Sequence, residues 1–341
     1  MKILKRIFCV ALAMCVSCTL CSCERGKKRY STYSFDYFDT ATNIIGYAET
    51  KEYFDDVCGE IFALLEEYHK LYDIYEPYEG VNNLYTLNNS QEPIVLDEKI
   101  LDLLEYGKEI YNITNGYTNI AMGSVLSIWH DYREIGSAEP ERAEVPPMES
   151  LLGAFEHTNI NDIVIDREHG TAHLSDEEMR IDVGAVAKGY AVARVAEHIE
   201  KSGVSGYIIN VGGNVCVVGA RGDGSPWTVG VEAPYDGGEE YIEYLSMTSG
   251  ALVTSGSYQR FYYVDGKRYH HIINKDTLMP NDAYLSVSVL CDDSGLADAL
   301  STALFCMSLE DGTALIASIE NAEAIWVCND KSLIYSDGWK K

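Results

Sequence analysis

The sequence predicts an α+β fold, with mixed or antiparallel sheets flanked by helices. Three observations carry that expectation. Apolar residues at helical spacing alternate irregularly with strand-like segments, so no strict βαβα order exists and a doubly wound sheet is disfavoured. No internal repeat is visible along the 341 residues. Hydrophobic residues make up 47% and charged residues 23%, enough apolar material for a sizeable core and far from a disordered composition.

The elements follow in order. Residues 1–22 read as an export signal. Lys2, Lys5 and Arg6 form a basic start, and Ile7 to Leu20 is an uncharged apolar stretch of 14 residues, too short to span a bilayer. Leu20-Cys21-Ser22-Cys23 has the pattern of a bacterial lipobox, with Cys23 as the lipidated residue. Residues 23–35 are expected to be a lipid-anchored tether, polar over Glu24–Tyr33 and basic at Arg25, Lys27, Lys28 and Arg29. Those cations favour anionic headgroups. The chain is then placed at the extracytoplasmic face of a bacterial membrane, with residues 36–338 as one catalytic-sized domain.

Asp39–Ala48 reads as a strand. From Lys51 to Tyr72, Phe54, Val57, Ile61, Leu64, Leu65, Tyr68, Leu71 and Tyr72 recur at helical spacing. Glu79–Asn83 is a turn, and Ile100–Ile113 is a helix stopped by Asn115-Gly116. Ser137–Pro147 is a polar surface loop, followed by a hairpin over Asp162–Asp166 and Thr171–Leu174. A helix is expected from about Gly184 to Lys201, then strands at Tyr207–Val211, Trp227–Val231, Tyr241–Met247, Tyr284–Leu290 and Ala324–Cys328. Helices are expected near Leu296–Met307 and Thr313–Ile319.

Charge narrows the function. Lys and Arg total 26 against 53 Asp and Glu, a net −27. Removing residues 1–22 takes away Lys2, Lys5 and Arg6 but no acid, leaving −30. A body this acidic repels a phosphate backbone, so nucleic acid is not an expected partner. Beyond the signal, Cys58, Cys216, Cys291, Cys306 and Cys328 are odd in number and form no CxxC pair, so they read as buried apolar residues. The 8 histidines include no HExxH, so zinc is poorly supported.

Four segments carry chemistry. Asp182-Val183-Gly184-Ala185-Val186-Ala187-Lys188-Gly189-Tyr190 runs from a strand end into a helix with a small-residue first turn. Free amides, the helix dipole and Lys188 favour an anion there, although tight helix–sheet packing alone also needs small residues. Asp298 and Thr302 stand four apart, on one helix face, as a hard-oxygen pair suited to Mg²⁺. The bland alternative is a helix-start carboxylate with a back-bonded threonine. Thr254-Ser255-Gly256-Ser257-Tyr258-Gln259-Arg260-Phe261 precedes His270-His271, where His271 is a candidate proton acceptor and Arg260 a candidate phosphate partner. Asn210-Val211-Gly212-Gly213-Asn214 is a glycine pair at a strand end, not a dinucleotide fingerprint, and no phosphate-binding GxxxxGK[ST] occurs.

In this order, DVGAVAKGYA, NVGGN, TSGSYQRF, HHIIN and ADALSTALF resemble the ApbE family of FAD:protein FMN transferases, with DIYEPYEGVNNLYTLN and NGYTNIAMGSVLSIW ahead of them. The resemblance spans about Phe38 to Tyr335. It implies an ApbE-like fold and Mg²⁺-dependent transfer of FMN from FAD to a Thr or Ser hydroxyl of a membrane-associated extracytoplasmic protein, with AMP leaving. It further implies metal ligation by the backbone oxygen of Ala185 and the side chains of Asp298 and Thr302. FAD contacts carry over to Asp182, Lys188, Ile272, Tyr117, Thr118, Asn119 and either Tyr75 or Tyr78. His271 matches a histidine implicated in catalysis, and Asp298 is the alternative base. The sequence departs from the family pattern at three places. Asn119 and Ser301 stand where some members have Asp, and Asn274-Lys275-Asp276-Thr277-Leu278 replaces the frequent Asp-Pro-x-Thr-Gly. A Mg²⁺-dependent FAD pyrophosphatase is the nearest rival reading, and a non-catalytic flavin-binding lipoprotein is a more distant one.

Overall fold

A computed structural model describes residues 26–235 and 237–339. The signal segment and Cys23 lie outside those residues. Eight strands form the central sheet in the order β1 (Lys28–Tyr37), β2 (Thr40–Ala48), β6 (Tyr207–Val211), β7 (Asn214–Val218), β10 (Ser249–Gly256), β13 (Tyr284–Cys291), β14 (Glu323–Cys328) and β15 (Leu333–Tyr335). Every neighbour in it is antiparallel. Smaller sheets are β3 (Ile94–Val95) with β5 (Thr171–Leu174) and β4 (Ile163–Asp166), β8 (Trp227–Glu232) with β9 (Tyr241–Met247), and β11 (Phe261–Val264) with β12 (Lys267–His270). Antiparallel pairing is therefore the form the α+β fold takes here.

Helices α1 (Lys51–Tyr72), α3 (Glu98–Ile113), α6 (Ala187–Lys201) and α7 (Ser294–Cys306) cover one sheet face. Their apolar stripes close the largest core, with Phe54, Ile61, Leu65, Leu104, Val195, Leu300, Leu304 and Trp326 fully buried. On the other face the β8–β9 hairpin lays Trp227, Val229, Val231 and Leu245 against Ile208, Val217 and Leu252. A third core joins α4 (Gly123–Ala138) and α5 (Met148–Phe155) to the β11–β12 hairpin through Val125, Trp129, Leu151, Tyr262 and Leu278. Short α2 (Leu84–Asn88) is capped by Asn83, and α8 (Leu309–Ser318) by Ser308.

The chain departs from the sequence expectation at several points. Residues 28–35, expected within a tether, belong to β1, which pairs with β2 from Lys28↔Ala48 to Tyr37↔Thr40. Tyr30 on Phe54 and Tyr37 on Phe62 anchor it, at ring-centroid distances of 5.5 and 5.7 Å. Asp39 belongs to the hairpin turn, not the strand, because Phe38 and Asp39 both have positive φ, as a two-residue twisted turn requires. The polar loop after α4 begins later than Ser137, since the helix runs to Ala138. Helix α6 starts at Ala187 because residues 183–186 form a turn with Ala187 N–H donating to the Val183 carbonyl at 2.8 Å. The glycine pair of NVGGN makes the β6–β7 turn, with φ of 57° at Gly212 and 85° at Gly213. The five cysteines beyond the signal are all free, four of them buried, and burial pushes the thiols of Cys58, Cys216 and Cys306 up to about 12.

Candidate functional site

Helices α6 and α7 approach closely enough for the first turn of one to meet a carboxylate of the other. Asp298, 5% exposed, accepts from the Gly189 amide at 2.8 Å and from Lys188 Nζ at 3.1 and 3.2 Å. Gly189 is the third residue of α6, so its amide has no intrahelical acceptor and is free for this bond. A Cβ there would fall 2.5 Å from the Ser294 carbonyl oxygen and closer still to Asp298 Cβ. Glycine is thus what lets the two helices touch.

One turn along α7, Thr302 Oγ1 lies 3.2 Å from Ser255 Oγ, which is 2.8 Å from Ser301 Oγ. Ser301 donates back to the Asp298 carbonyl at 2.9 Å. Thr302, Ser255 and Ser301 thus form a run of hydroxyls between α7 and β10, joined to Asp298 through its main-chain carbonyl. Below it, buried Asn214 accepts from Ser294 Oγ at 2.5 Å.

A second group gathers around the turn that leads into α6. Asp182 accepts from the Gly184 amide at 2.8 Å, and burial raises its pKa against the opposing pull of that bond, His130, Arg260 and Arg133. Tyr75 places its ring 5.1 Å from His130, and Arg133 Nη2 is 2.8 Å from His130 Nδ1. Burial and the Asp182 charge push the Tyr75 phenol up to about 12. His271 donates its amide to the Arg260 carbonyl at 3.1 Å, and its Nδ1 lies 3.3 Å from the same oxygen. A carbonyl only accepts, so Nδ1 carries the proton and Nε2 keeps its lone pair. Burial first, then the positive charge of Arg260, His270 and Arg133, holds His271 down at about 3. It is neutral at physiological pH.

The sequence-selected residues sort as follows. Asp298 and Lys188 come together, with Thr302 one turn along the same helix and bonded to Ser255, and Ala185 in the turn between the two groups. Asp182, Tyr75 and His271 share Arg260 as a charged neighbour. Tyr78 stands apart, donating to Asp73 at 2.9 Å and facing His69, so of the two tyrosines Tyr75 is the one beside Asp182. Tyr117 donates to Asp276 at 2.8 Å, with Lys275 Nζ 4.5 Å above its ring. Thr118 is buried and donates to the Ala299 carbonyl at 2.8 Å, tying its segment to α7 beside Asp298. Asn119 caps a short helical turn and donates Nδ2 to Thr158 at 3.0 Å, a bond that a carboxylate could not make. Ile272 is buried, its amide donating to His270 Nδ1 at 3.2 Å.

Sequence reasoning missed His130 and Arg133. The signal was available as a His-x-x-Arg spacing three apart, but it falls on α4, where no helix was expected.

The oxygens here fit a hard cation by their chemistry: a buried carboxylate on the same helix face as Thr302, one turn away, with the Ser255 and Ser301 hydroxyls beside that threonine. Among the described residues no group of three or more His, Cys, Asp or Glu is close enough to hold a metal. A cation here would therefore keep water or take oxygens from a substrate, as Mg²⁺ does.

Comparison with known proteins gives the family and the fold. Residues 38–326 match the model of the ApbE family. An FAD:protein FMN transferase of Treponema pallidum is 28% identical, over 96% of this chain and 93% of that protein. One from Klebsiella pneumoniae is 27% identical, over 82% and 84%. The crystal structure of the ApbE protein from Thermotoga maritima superposes with a TM-score of 0.79 at 26% identity, covering 91% of this chain and 97% of that one. The flavin transferase ApbE from Vibrio cholerae gives 0.74 at 25% identity, covering 91% and 96%.

Proposed function

The chain belongs to the ApbE family, and on that premise we infer that it is an FAD:protein FMN transferase, moving the FMN half of FAD onto an acceptor protein. The finer reading is Mg²⁺-dependent transfer to a Thr or Ser hydroxyl, with AMP as leaving group. The observation that carries it is the Asp298 carboxylate, held between Lys188 and the first turn of α6 and followed by Thr302 and Ser255. In a protein of net charge −30 after removal of the signal, this is where local positive charge can receive a diphosphate.

Asp298, Thr302 and the backbone oxygen of Ala185 would hold the metal. When bound, Mg²⁺ supplies charge neutralisation at the transferring phosphoryl group. The protein's own residues do the rest. Lys188 moves its charge from Asp298 toward phosphate oxygens, at the positive end of the α6 dipole. Asp182 and Tyr75 line the approach on the side of His130 and Arg260, with the Tyr117–Asn119 segment and Ile272 completing the FAD contacts. His271 Nε2 accepts the proton of the attacking hydroxyl. It suits that role better than Asp298, whose oxygens are taken by Lys188 and Gly189. Burial is the larger cause of the depressed His271 basicity, and a diphosphate beside Arg260 offsets the smaller part that comes from positive charge, so substrate makes the base stronger.

The acceptor would be membrane-associated and extracytoplasmic, and the enzyme lipid-anchored at Cys23 at that membrane face. The rival pyrophosphatase reading replaces the acceptor hydroxyl with water. Measuring AMP release from FAD and Mg²⁺, with and without a candidate acceptor protein, separates the two. A transferase releases AMP in step with FMN bound to acceptor. AMP at the same rate without acceptor rejects the reading.

A further inference from the structure

We propose that the outward face of β1 is a seat for an anionic phospholipid surface, an inference that rests on the lipid-anchor reading of Cys23 given above. Residues Arg29, Ser31, Tyr33 and Phe35 alternate with inward Tyr30 and Thr32, so they share one face of the sheet edge. Tyr33 and Phe35 are 72% and 70% exposed, the most exposed large apolar side chains among the described residues. Their rings meet edge to face at 5.9 Å, forming a single aromatic step and not two scattered residues.

Positive charge collects at the N-terminal end of the same strand. Lys27, Lys28 and Arg29 are exposed, and Lys27 lies against the loop carrying Arg221: a Cβ on Gly222 would meet Lys27 Cβ at 3.0 Å. Arg221 sits 5.6 Å over the ring of Tyr47, the partner of Arg29 across the β1–β2 ladder. The acids along this edge are Glu49, which follows Ala48, the ladder partner of Lys28, with Asp223 and Asp36, which accept from Ser225 and Ser34 at 2.5 Å each. In a body of net charge −30, four cations at one edge form a distinct local field.

Chain length selects the occupant. Five residue steps separate Cys23 from Lys28, at most ~18 Å when fully extended. Because β1 is part of the sheet and not a tether, an anchored Cys23 keeps the start of this edge within ~18 Å of the bilayer. The rest of the acidic body is repelled from an anionic leaflet, so the basic end turns toward it. Tyr and Phe then enter the interfacial layer, where aromatic rings are favoured.

The test is hydroxyl-radical footprinting of the intact lipoprotein in phosphatidylcholine vesicles containing roughly 30% phosphatidylglycerol. Tyr244 and Tyr263, 58% and 55% exposed elsewhere, serve as internal references. At about 0.01 M salt, labelling of Tyr33 and Phe35 is expected to fall about threefold relative to those tyrosines. It should recover at about 1 M salt, where the screening length contracts to ~3 Å. A Lys27→Glu/Arg29→Glu variant should still float with the vesicles but lose the protection. Equal labelling of Tyr33, Phe35 and the references on floating vesicles overturns the seat and leaves the anchor standing. Failure of the protein to float overturns the anchor and the seat with it. Protection that survives high salt in pure phosphatidylcholine and grows with protein density identifies a second copy on the β1 edge, and also overturns the proposal.

Discussion

Asp298 has to serve two states. Without substrate its carboxylate is satisfied by Lys188 and the Gly189 amide; with substrate, that reading gives it to the metal. Asp298→Asn keeps an acceptor for Gly189 while removing the charge. It is expected to stay folded yet lose at least ~100-fold in FMN transfer, read as kcat/KM together with Mg²⁺ dependence. Asp298→Ala additionally leaves a buried amide and an ammonium unpaired, at about 1–3 kcal/mol of stability measured by denaturant. Thr302→Ala should be milder, since it removes a neutral oxygen. His271 gives a pH signature. Its pKa is lowered from 6.5 to about 3 in the free protein, so it stays neutral as pH falls through 6.5. The acid limb of kcat/KM for FAD, which reports the free enzyme, should therefore contain no His271 ionisation near 6.5. A limb there that vanishes in His271→Gln would contradict the burial argument.

At the scale of elements, the contact between α6 and α7 is the site's scaffold, and Gly189 is its narrowest point. Gly189→Ala must push Asp298 or the Ser294 carbonyl aside. We expect a loss of about 1–3 kcal/mol in stability and a larger relative loss of activity, because Asp298 moves with its helix. Leu278 presents the opposite case. It stands where the family frequently has Gly, and it does adopt a positive φ of 57°. Its amide donates to Asn274 at 2.8 Å, its carbonyl accepts from Trp129 Nε1 at 2.9 Å, and its side chain is buried in the third core. Leu278→Gly relieves about 1–2 kcal/mol of left-handed strain but forfeits ~1.5–3 kcal/mol of burial. Burial wins, so thermal unfolding should show a variant of equal or lower stability. The long helices were legible because α1, α3 and α6 bury one stripe and expose the other. Helix α4 was not, because Gly123-Ser124-Val125 prolong a buried run from Ile120 that carries no period, and only Trp129 and Gly136 are buried after them. Strand β1 was hidden for a related reason. Aromatic residues occupy both of its faces, Tyr30 inward and Tyr33 outward, so alternation is masked among Ser, Thr and Arg. The chemical segments were legible as motifs, but their grouping depends on helix–helix contact, which no local pattern encodes.

For the whole molecule, the lipid anchor proposed at Cys23 would make location part of function. No helix among the described residues is long and apolar enough to cross a membrane. Cys23→Ser is expected to lower flavinylation of membrane-held acceptors in cells while leaving the rate on a soluble acceptor unchanged in vitro, through lost effective concentration. Flavin transfer itself is read from the intact mass of an acceptor protein after incubation with FAD and Mg²⁺. The acceptor should gain one covalently bound FMN with the native enzyme and none with Asp298→Asn. An unmodified acceptor with the native enzyme, or equal modification by both, would contradict the proposed reaction.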